Sequence, residues 1–527
     1  MTSSEPKLYL LLISVHGLIR GHDLELGRDA DTGGQTLYVV ELARALGELE
    51  EVERVDLVTR RVVDPAISDD YAAREEDLSD KVRIVRIDAG PDGYIPKEEL
   101  WDHLDSFTDN LVEWLKAQQR VPDAVHSHYA DAGYVGVRLA NLAAVPLVHT
   151  GHSLGRDKRK RLLAKGLSGQ EIESTYNMTR RIHAEEQLLA NADLVITSTN
   201  NEIEEQYGLY NYYDPASMAV IPPGTDLERF YPPAEGQTFD YGAKLAPFLR
   251  DPDKPLVLAL SRPDERKNIA VLLDAFGESQ ALREAANLLI IAGNRDDIRD
   301  LDAGAQQVLT NLLLLIDANN LYGSVALPKR HRGGEIPEVY RAVSAGGGVF
   351  INPALTEPFG LTLLEAAASG LPLVATENGG PVDIISNCSN GILIDPLDPG
   401  AIADALLSLL EDRDAWLKAS RNGLEGVRKH YTWQAHALGY LDKLRDLIDK
   451  PRKPPVDWPE VQAARYRDRA IFTDIDQTLL GDTAALKQFA DTIRGNRKRL
   501  SFGIATGRRI DAALALSLIH ISEPTRH

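Results

Sequence analysis

The sequence predicts an α/β protein: two doubly wound parallel sheets in succession, then the opening of a third α/β unit. Three observations predict it. Short apolar runs bounded by Gly- and Pro-rich turns alternate with stretches of helical apolar spacing from residue 8 onward. That alternation restarts after IPPGTDLERFYPP, which begins at Ile221 and is dense in Pro and Gly. It restarts again at Arg469, after the Pro-rich stretch PRKPPVDWPE. The division expected is 1–225 for the first Rossmann-like domain and 226–450 for the second. A linker covers 451–468 and a third, truncated segment 469–516. Residues 517–527, which resemble read-through, are set aside as a non-native tail.

The chain has 527 residues, with 79 acidic against 58 basic side chains and a formal charge of −21, which excludes an overall nucleic-acid or anionic-membrane surface. One cysteine, Cys388, allows no intrachain disulfide and fits a reducing cytoplasm. The leading apolar run, LYLLLISV, is short and lacks a basic leader, so it reads as a first strand.

In order, LYLLLISV is followed by a Gly- and Asp-rich loop, and TLYVVELARALGEL has helical spacing at Val39, Leu42, Ala43, Leu46 and Leu49. RVDLVTR and VRIVRIDAG are strands. PDAVHSHY and VPLVHTGHS are strands ending in His-rich turns, and ADLVITST closes the first series. In the second series PLVLALS, NLLIIAG, SVALP, VFINPAL and PLVAT are strands, and YLDKLRDLIDK is a closing helix. Parallel sheets of this kind bind ligands beyond the carboxyl ends of their strands.

The candidate chemistry lies at those ends. In DADTGGQT, Gly33 and Gly34 let a ligand approach a helix start, and Gln35 adds a neutral donor and acceptor; a plain tight turn is the alternative. HTGHSLGRDKRKRLL sets His152, Ser153 and Lys158 in a basic cluster. It reads either as a solvated helix start or as an anion site with His152 at the reaction centre. Arg180-Arg181 adds a second basic pair on a helix. In SRPDERKN, Arg262 and Lys267 follow a buried strand and suit a diphosphate. In TEPFGLTLLEAAASGLPLVAT, Glu357 sits in a turn and Glu365 in the second turn of the helix after it, where carboxylates can grip sugar or ribose hydroxyls and free amides attract anions; taken alone, two Glu that only complement the helix dipole are the alternative.

As a set, SVHG, DTGGQ, HTGHSLGRDK, SRPDERKN, GNRDD and TEPFGLTLLEAAASGLP resemble the sucrose-phosphate synthases over residues 8 to about 450. The last string is the E-x7-E segment of retaining GT-B glycosyltransferases. The resemblance implies a GT-B fold, two Rossmann-like domains facing a central cleft, with a helix near 431–449 crossing back to the first. It implies retaining transfer of glucose from UDP-glucose or ADP-glucose to fructose 6-phosphate, without a donor-site metal or other cofactor. By position, Arg262 and Lys267 would hold the diphosphate, Glu365 the ribose, and Glu357 the glucosyl hydroxyls with the amides of Phe359, Gly360 and Leu361. Gly34 and Gln35 would lie under the acceptor, and Lys97, Tyr129, Ser153, Lys158 and Arg180 around fructose 6-phosphate. His152 would lie against the transferred sugar. A sucrose synthase using free fructose is the close alternative, and the cations Lys97, Lys158 and Arg180 argue against it, since a neutral sugar would leave them unpaired. A non-catalytic sugar-nucleotide-binding scaffold is the other.

FTDIDQT and IATGRR resemble the first two motifs of haloacid-dehalogenase-type phosphatases, in particular a sucrose-phosphate phosphatase. That implies a Mg2+ site at Asp474 and Asp476, with Asp474 as nucleophile and Asp476 as general acid. The later lysine and acids of such enzymes are not reached, so no phosphatase activity is expected, and a separate sucrose-phosphate phosphatase is an expected partner.

Overall fold

The computed structural model describes residues 7–448, apart from positions 27, 30 and 240, and beyond them 469–474, 482, 484–486, 488, 489, 492 and 500–504. The linker and tail expected at 451–468 and 517–527 lie outside the described residues, as does Asp476.

The first sheet has eight strands: β1 (Leu8–Ile13), β2 (Val52–Arg60), β3 (Glu75–Asp77), β4 (Val82–Ile87), β5 (Ala124–His128), β6 (Leu147–Thr150), β7 (Leu194–Thr197) and β8 (Met218–Val220). Their order is β3-β4-β2-β1-β5-β6-β7-β8, parallel except for the antiparallel edge pair β3 and β4. The sequence LYLLLI explains why β1 is central. Leu11 and Ile13 enter one core while Leu10 and Leu12 enter the core on the opposite face. A strand buried on both faces is a continuous apolar run, and alternate residues serve opposite sides.

The second sheet repeats the scheme with β9 (Leu256–Ser261), β10 (Asn287–Ala292), β11 (Val325–Ala326), β12 (Val349–Asn352), β13 (Leu373–Thr376) and β14 (Gly391–Ile394), all parallel, in the order β11-β10-β9-β12-β13-β14. Leu288 and Ile290 of β10 face one core, Leu289 and Ile291 the other. Each sheet reverses its winding once, at β1/β5 and at β9/β12, which is where such folds open a crevice for ligand. Farther on, β15 (Arg469–Thr473) and β16 (Leu500–Ile504) pair in parallel.

Two chain crossings join the sheets side by side. Thr225 N–H donates to Tyr431 C=O at 2.8 Å. A Cβ on Gly224 would come within 2.3 Å of the Trp433 amide nitrogen, so only glycine lets the two crossings approach this closely. The helix Trp433–Ile448 then runs back over the first sheet, where Ala437, Tyr440, Leu441 and Leu444 share a core with Val39 and Val40. Across the opening, Asn200, just past β7, donates from its backbone and side-chain amides to Asp383, both at 3.0 Å. Asp383 belongs to the helix Gly380–Cys388 that follows β13. The carboxyl ends of both sheets therefore face each other. No helix among the described residues is long and apolar enough to cross a membrane.

Candidate active site

On the second sheet, the loop after β9 carries Arg262 and Lys267 and the loop after β12 carries Glu357. Lys267 Nζ donates to Glu357 Oε2 at 2.6 Å, and the same oxygen accepts from Asn352 Nδ2 at 2.9 Å. Backbone and amide bonds hold the two loops together: Leu355 N–H reaches Arg266 C=O, and Asn268 Nδ2 reaches the carbonyls of Pro353 and Pro396. Arg262 is exposed and forms no ion pair with another described residue. It can turn its fork of donors to an incoming anion without first losing a carboxylate.

The turn at Glu357 is built by glycines. A Cβ on Gly379 would lie 2.2 Å from the Glu357 carbonyl oxygen, and one on Gly380 2.3 Å from that of Phe359. Gly360, at φ 106°, caps the helix Leu361–Ala368, whose first N–H groups have no intrahelical acceptor. Phe359, Gly360 and Leu361 are thus where the sequence placed them, at an open helix start. Glu365 lies one turn deeper and accepts from Tyr340 Oη at 3.2 Å. Burial pushes its carboxyl up to about 7.

On the first sheet, Gly34 opens the helix Gly34–Glu48 and Gln35 donates to the Ser14 hydroxyl at 3.0 Å. A Cβ at Gly33 or Gly34 would meet no described atom within 4 Å, so no described neighbour requires glycine there. Tyr129 and His152, just past β5 and β6, have φ of 75° and 56°. Positive φ is costly for a bulky residue, and such strain gathers at functional sites. His152 Nε2 lies 3.1 Å from His128 Nδ1, and its ring meets that of Tyr38 edge-on at 4.8 Å. Burial, with His149 and His16 nearby, lowers His152 to about 3, so the ring is neutral at ordinary pH. It can exchange hydrogen bonds with a sugar but cannot act as a general acid.

The basic cluster differs from the expectation in one respect: its charges are not unpaired. Lys97 Nζ pairs with Asp31, whose other oxygen accepts from Lys97 N–H and Tyr94 Oη, each at 2.9 Å. Lys158 Nζ lies 4.0 Å from Glu98 and 4.0 Å from the centre of the Tyr176 ring. Burial and the neighbouring Arg181 lower its ammonium to about 8. Arg180 turns outward, 46% exposed, to Asp102 at 2.6 Å. The correction has a simple cause: Asp31 comes from the loop after β1, and Glu98 and Asp102 from the segment that follows Lys97, and these carboxylates meet the cations when the strands assemble. A neutral acceptor would therefore leave each of these cations with a carboxylate nearby.

Arg181 is the arginine that turns inward. It donates to Ser153 C=O at 2.7 Å, pairs with Glu185 at 3.0 Å, and lies 4.5 Å over the Tyr129 ring. It thereby fixes both Ser153 and Tyr129. The i,i+4 spacing of Arg181 and Glu185, on the apolar face with Met178, Ala184 and Leu188, was the signal that distinguishes it from Arg180. Asn352 and Asn268 carried no such signal; they read as ordinary strand-end and loop residues.

Asp474 is exposed just past β15. Among the described residues no group of three His, Cys, Asp or Glu side chains is arranged to hold a metal ion.

Residues 33–224 match the family model Glycosyl transferase 4-like domain, residues 243–425 match Glycosyl transferases group 1, and residues 467–521 match Sucrose-6F-phosphate phosphohydrolase. The chain is similar to probable sucrose-phosphate synthase 1 of Oryza sativa subsp. indica, 46% identical over 88% of this chain and 49% of that protein. It is likewise similar to the sucrose-phosphate synthase of Zea mays, 46% identical over 84% of this chain and 48% of that one. It spans about half the length of these curated relatives. Among solved structures it resembles a sucrose-phosphate synthase from Thermosynechococcus elongatus, with a TM-score of 0.56, 29% identity and coverage of 84% of this chain and 99% of that one. The fold is shared with Anabaena HepE in complex with UDP, at a TM-score of 0.53, 18% identity and coverage of 84% and 100%.

Proposed function

We propose that this chain, similar to the sucrose-phosphate synthases over most of its length and matching Sucrose-6F-phosphate phosphohydrolase over residues 467–521, makes sucrose 6-phosphate. Glucose passes from UDP-glucose or ADP-glucose to fructose 6-phosphate with its anomeric configuration retained. The bond from glucosyl C1 to the diphosphate oxygen breaks, C1 bonds to the acceptor hydroxyl oxygen on the same face, and the leaving phosphate takes the hydroxyl proton. The observation that carries the reading is the Lys267–Glu357 contact at 2.6 Å beside exposed Arg262 at the β9/β12 reversal. It sets cations for a diphosphate next to a carboxylate for a sugar.

In this reading Arg262 and Lys267 stabilise the leaving diphosphate, Glu357 holds glucosyl hydroxyls and Glu365 the ribose. Backbone amides of Phe359, Gly360 and Leu361 assist. Gly34 and Gln35 underlie the acceptor. Lys97, Tyr129, Ser153 and Lys158 surround its phosphate, and Arg180 reaches it only by leaving Asp102. His152 contacts the transferred sugar as a neutral ring. Transfer calls for no cofactor; Asp474 and Asp476 are the residues that would hold Mg2+ and let it activate a phosphate ester. The protein works in the cytoplasm, and its product suits a sucrose-phosphate phosphatase.

One observation favours a second reading. Each acceptor-side cation already has a carboxylate nearby, so free fructose would leave none of Lys97, Lys158 and Arg180 unpaired. The test incubates the protein with UDP-glucose and either fructose 6-phosphate or fructose, with products identified by mass spectrometry. Sucrose 6-phosphate formed only from the phosphorylated acceptor is expected. Sucrose from free fructose at a comparable rate would move the assignment to the sucrose synthase type, and tight donor binding without any product to a binding protein.

A further inference from the structure

We propose that His128 is a positioning residue that fixes the tautomer of His152, so that His152 presents an N–H donor, Nδ1, to an oxygen of the bound sugar. The inference rests on the glycosyl-transfer reading for its consequence, though not for its geometry.

β5 and β6 are neighbours, with His128 opposite Thr150, so the strand ends set the His128 and His152 rings beside each other. Nδ1 of His128 and Nε2 of His152 are 3.1 Å apart. Two nitrogens at that separation share one proton, and each neutral imidazole carries a single N–H. If His152 donates, His128 accepts at Nδ1 and must carry its own proton on Nε2. That Nε2 is buried and has no hydrogen-bond partner among the described residues. The ring lies against His126, centroids 4.1 Å apart, and against the edge of Tyr38, at 5.7 Å, and neither contact offers Nε2 an acceptor. An enclosed N–H without an acceptor is the rarest of unsatisfied groups. If His128 donates from Nδ1, Nε2 holds only a bare lone pair. His152 then accepts at Nε2, and its proton sits on Nδ1, which bonds to no described residue.

The surroundings keep this arrangement neutral. Burial, with His126, His152 and their neighbours His149 and His436, holds His128 well below its ordinary value, so a doubly protonated ring is not an alternative. The His152 ring is held by its contacts with the rings of His128 and Tyr38. The same pair of rings could present either a donor or an acceptor to the sugar; the enclosed Nε2 of His128 selects the donor.

The test has two arms. In protein labelled with 15N-histidine, long-range 1H–15N spectra report which nitrogen of each ring is protonated, and the His152 signals are those that His152→Asn removes. Protonation of His152 at Nδ1 is expected; protonation at Nε2 would overturn the proposal whether or not the protein transfers glucose. In the second arm His128→Asn places an amide N–H where Nδ1–H was, and His128→Leu places none. His128→Asn should keep kcat within about threefold of the unsubstituted protein. His128→Leu should lose about a hundredfold in kcat, as for one preorganised donor, with KM for both substrates changed less than twofold. Equal loss in both variants would show a packing role only and sink the proposal. The tautomer arm needs no turnover, so absence of activity in the unsubstituted protein would count against the transfer reading alone.

Discussion

The two half-sites facing each other are built by opposite electrostatic strategies. On the second sheet Arg262 is exposed without an ion pair among the described residues, and Lys267 is held by the carboxylate that would itself touch the sugar. On the first sheet the cations are already matched, Lys97 with Asp31 and Arg180 with Asp102, with Lys158 close to Glu98. A ligand entering the second sheet finds one cation, Arg262, that has no ion pair to break among the described residues, while Lys267 must be shared with Glu357. A phosphate entering the first must compete with carboxylates. On that difference we expect removal of Arg262 to cost donor binding and transfer, and removal of Lys158 to cost acceptor affinity.

The largest effect is expected at Arg262. Arg262→Ala should lower kcat by about a hundredfold, the cost of removing one preorganised charge partner, with steady-state kinetics as the check. A smaller effect is expected at Lys158: Lys158→Ala should raise KM for fructose 6-phosphate about tenfold, or ~1.4 kcal/mol. Arg180→Ala should change it less than about threefold, since an exposed pair contributes little. If Arg180 proves the more costly of the two, its link to Asp102 opens when the acceptor binds.

Gly34→Ala separates fold from site. The added Cβ meets no described atom within 4 Å, so the thermal midpoint should hold or rise slightly, while kcat/KM for the acceptor falls about tenfold. Unchanged kinetics would move the acceptor away from this helix start. Two pH effects sharpen the contrast further. Lys158, lowered to about 8, loses its charge as pH rises, so kcat/KM for fructose 6-phosphate should fall above that pH. Glu365, raised from 4.5 to about 7, favours its neutral form in the fold. Its contribution to stability is full below 4.5 and is lost as pH rises through 7. Denaturant unfolding of Glu365→Gln should therefore show the variant gaining on the unsubstituted protein across that window; parallel profiles would place Glu365 in contact with solvent.

Much of this was legible in the sequence because it is encoded locally. LYLLLI and NLLIIA are buried on both faces and could only be central strands; Gly360 and Gly379-Gly380 mark turns that tolerate little else. Arg262, Lys267 and Glu357 could be read because each follows such a strand directly. What could not be read depends on residues distant in the chain. The Asp31 partner of Lys97 and the Asp102 partner of Arg180 lie 66 and 78 residues away. The Asn200–Asp383 contact spans 183 residues. Nor does a linear pattern reveal that the His128 and His152 rings share a proton, since that follows from the pairing of β5 with β6.

The most direct measurement is calorimetric titration of UDP into the unsubstituted protein, Arg262→Ala and Lys158→Ala. If the donor binds the second sheet and the acceptor the first, Arg262→Ala weakens UDP at least about tenfold and Lys158→Ala leaves it within twofold. Equal weakening by both substitutions, or weakening by Lys158→Ala alone, would contradict the division of labour between the two sheets.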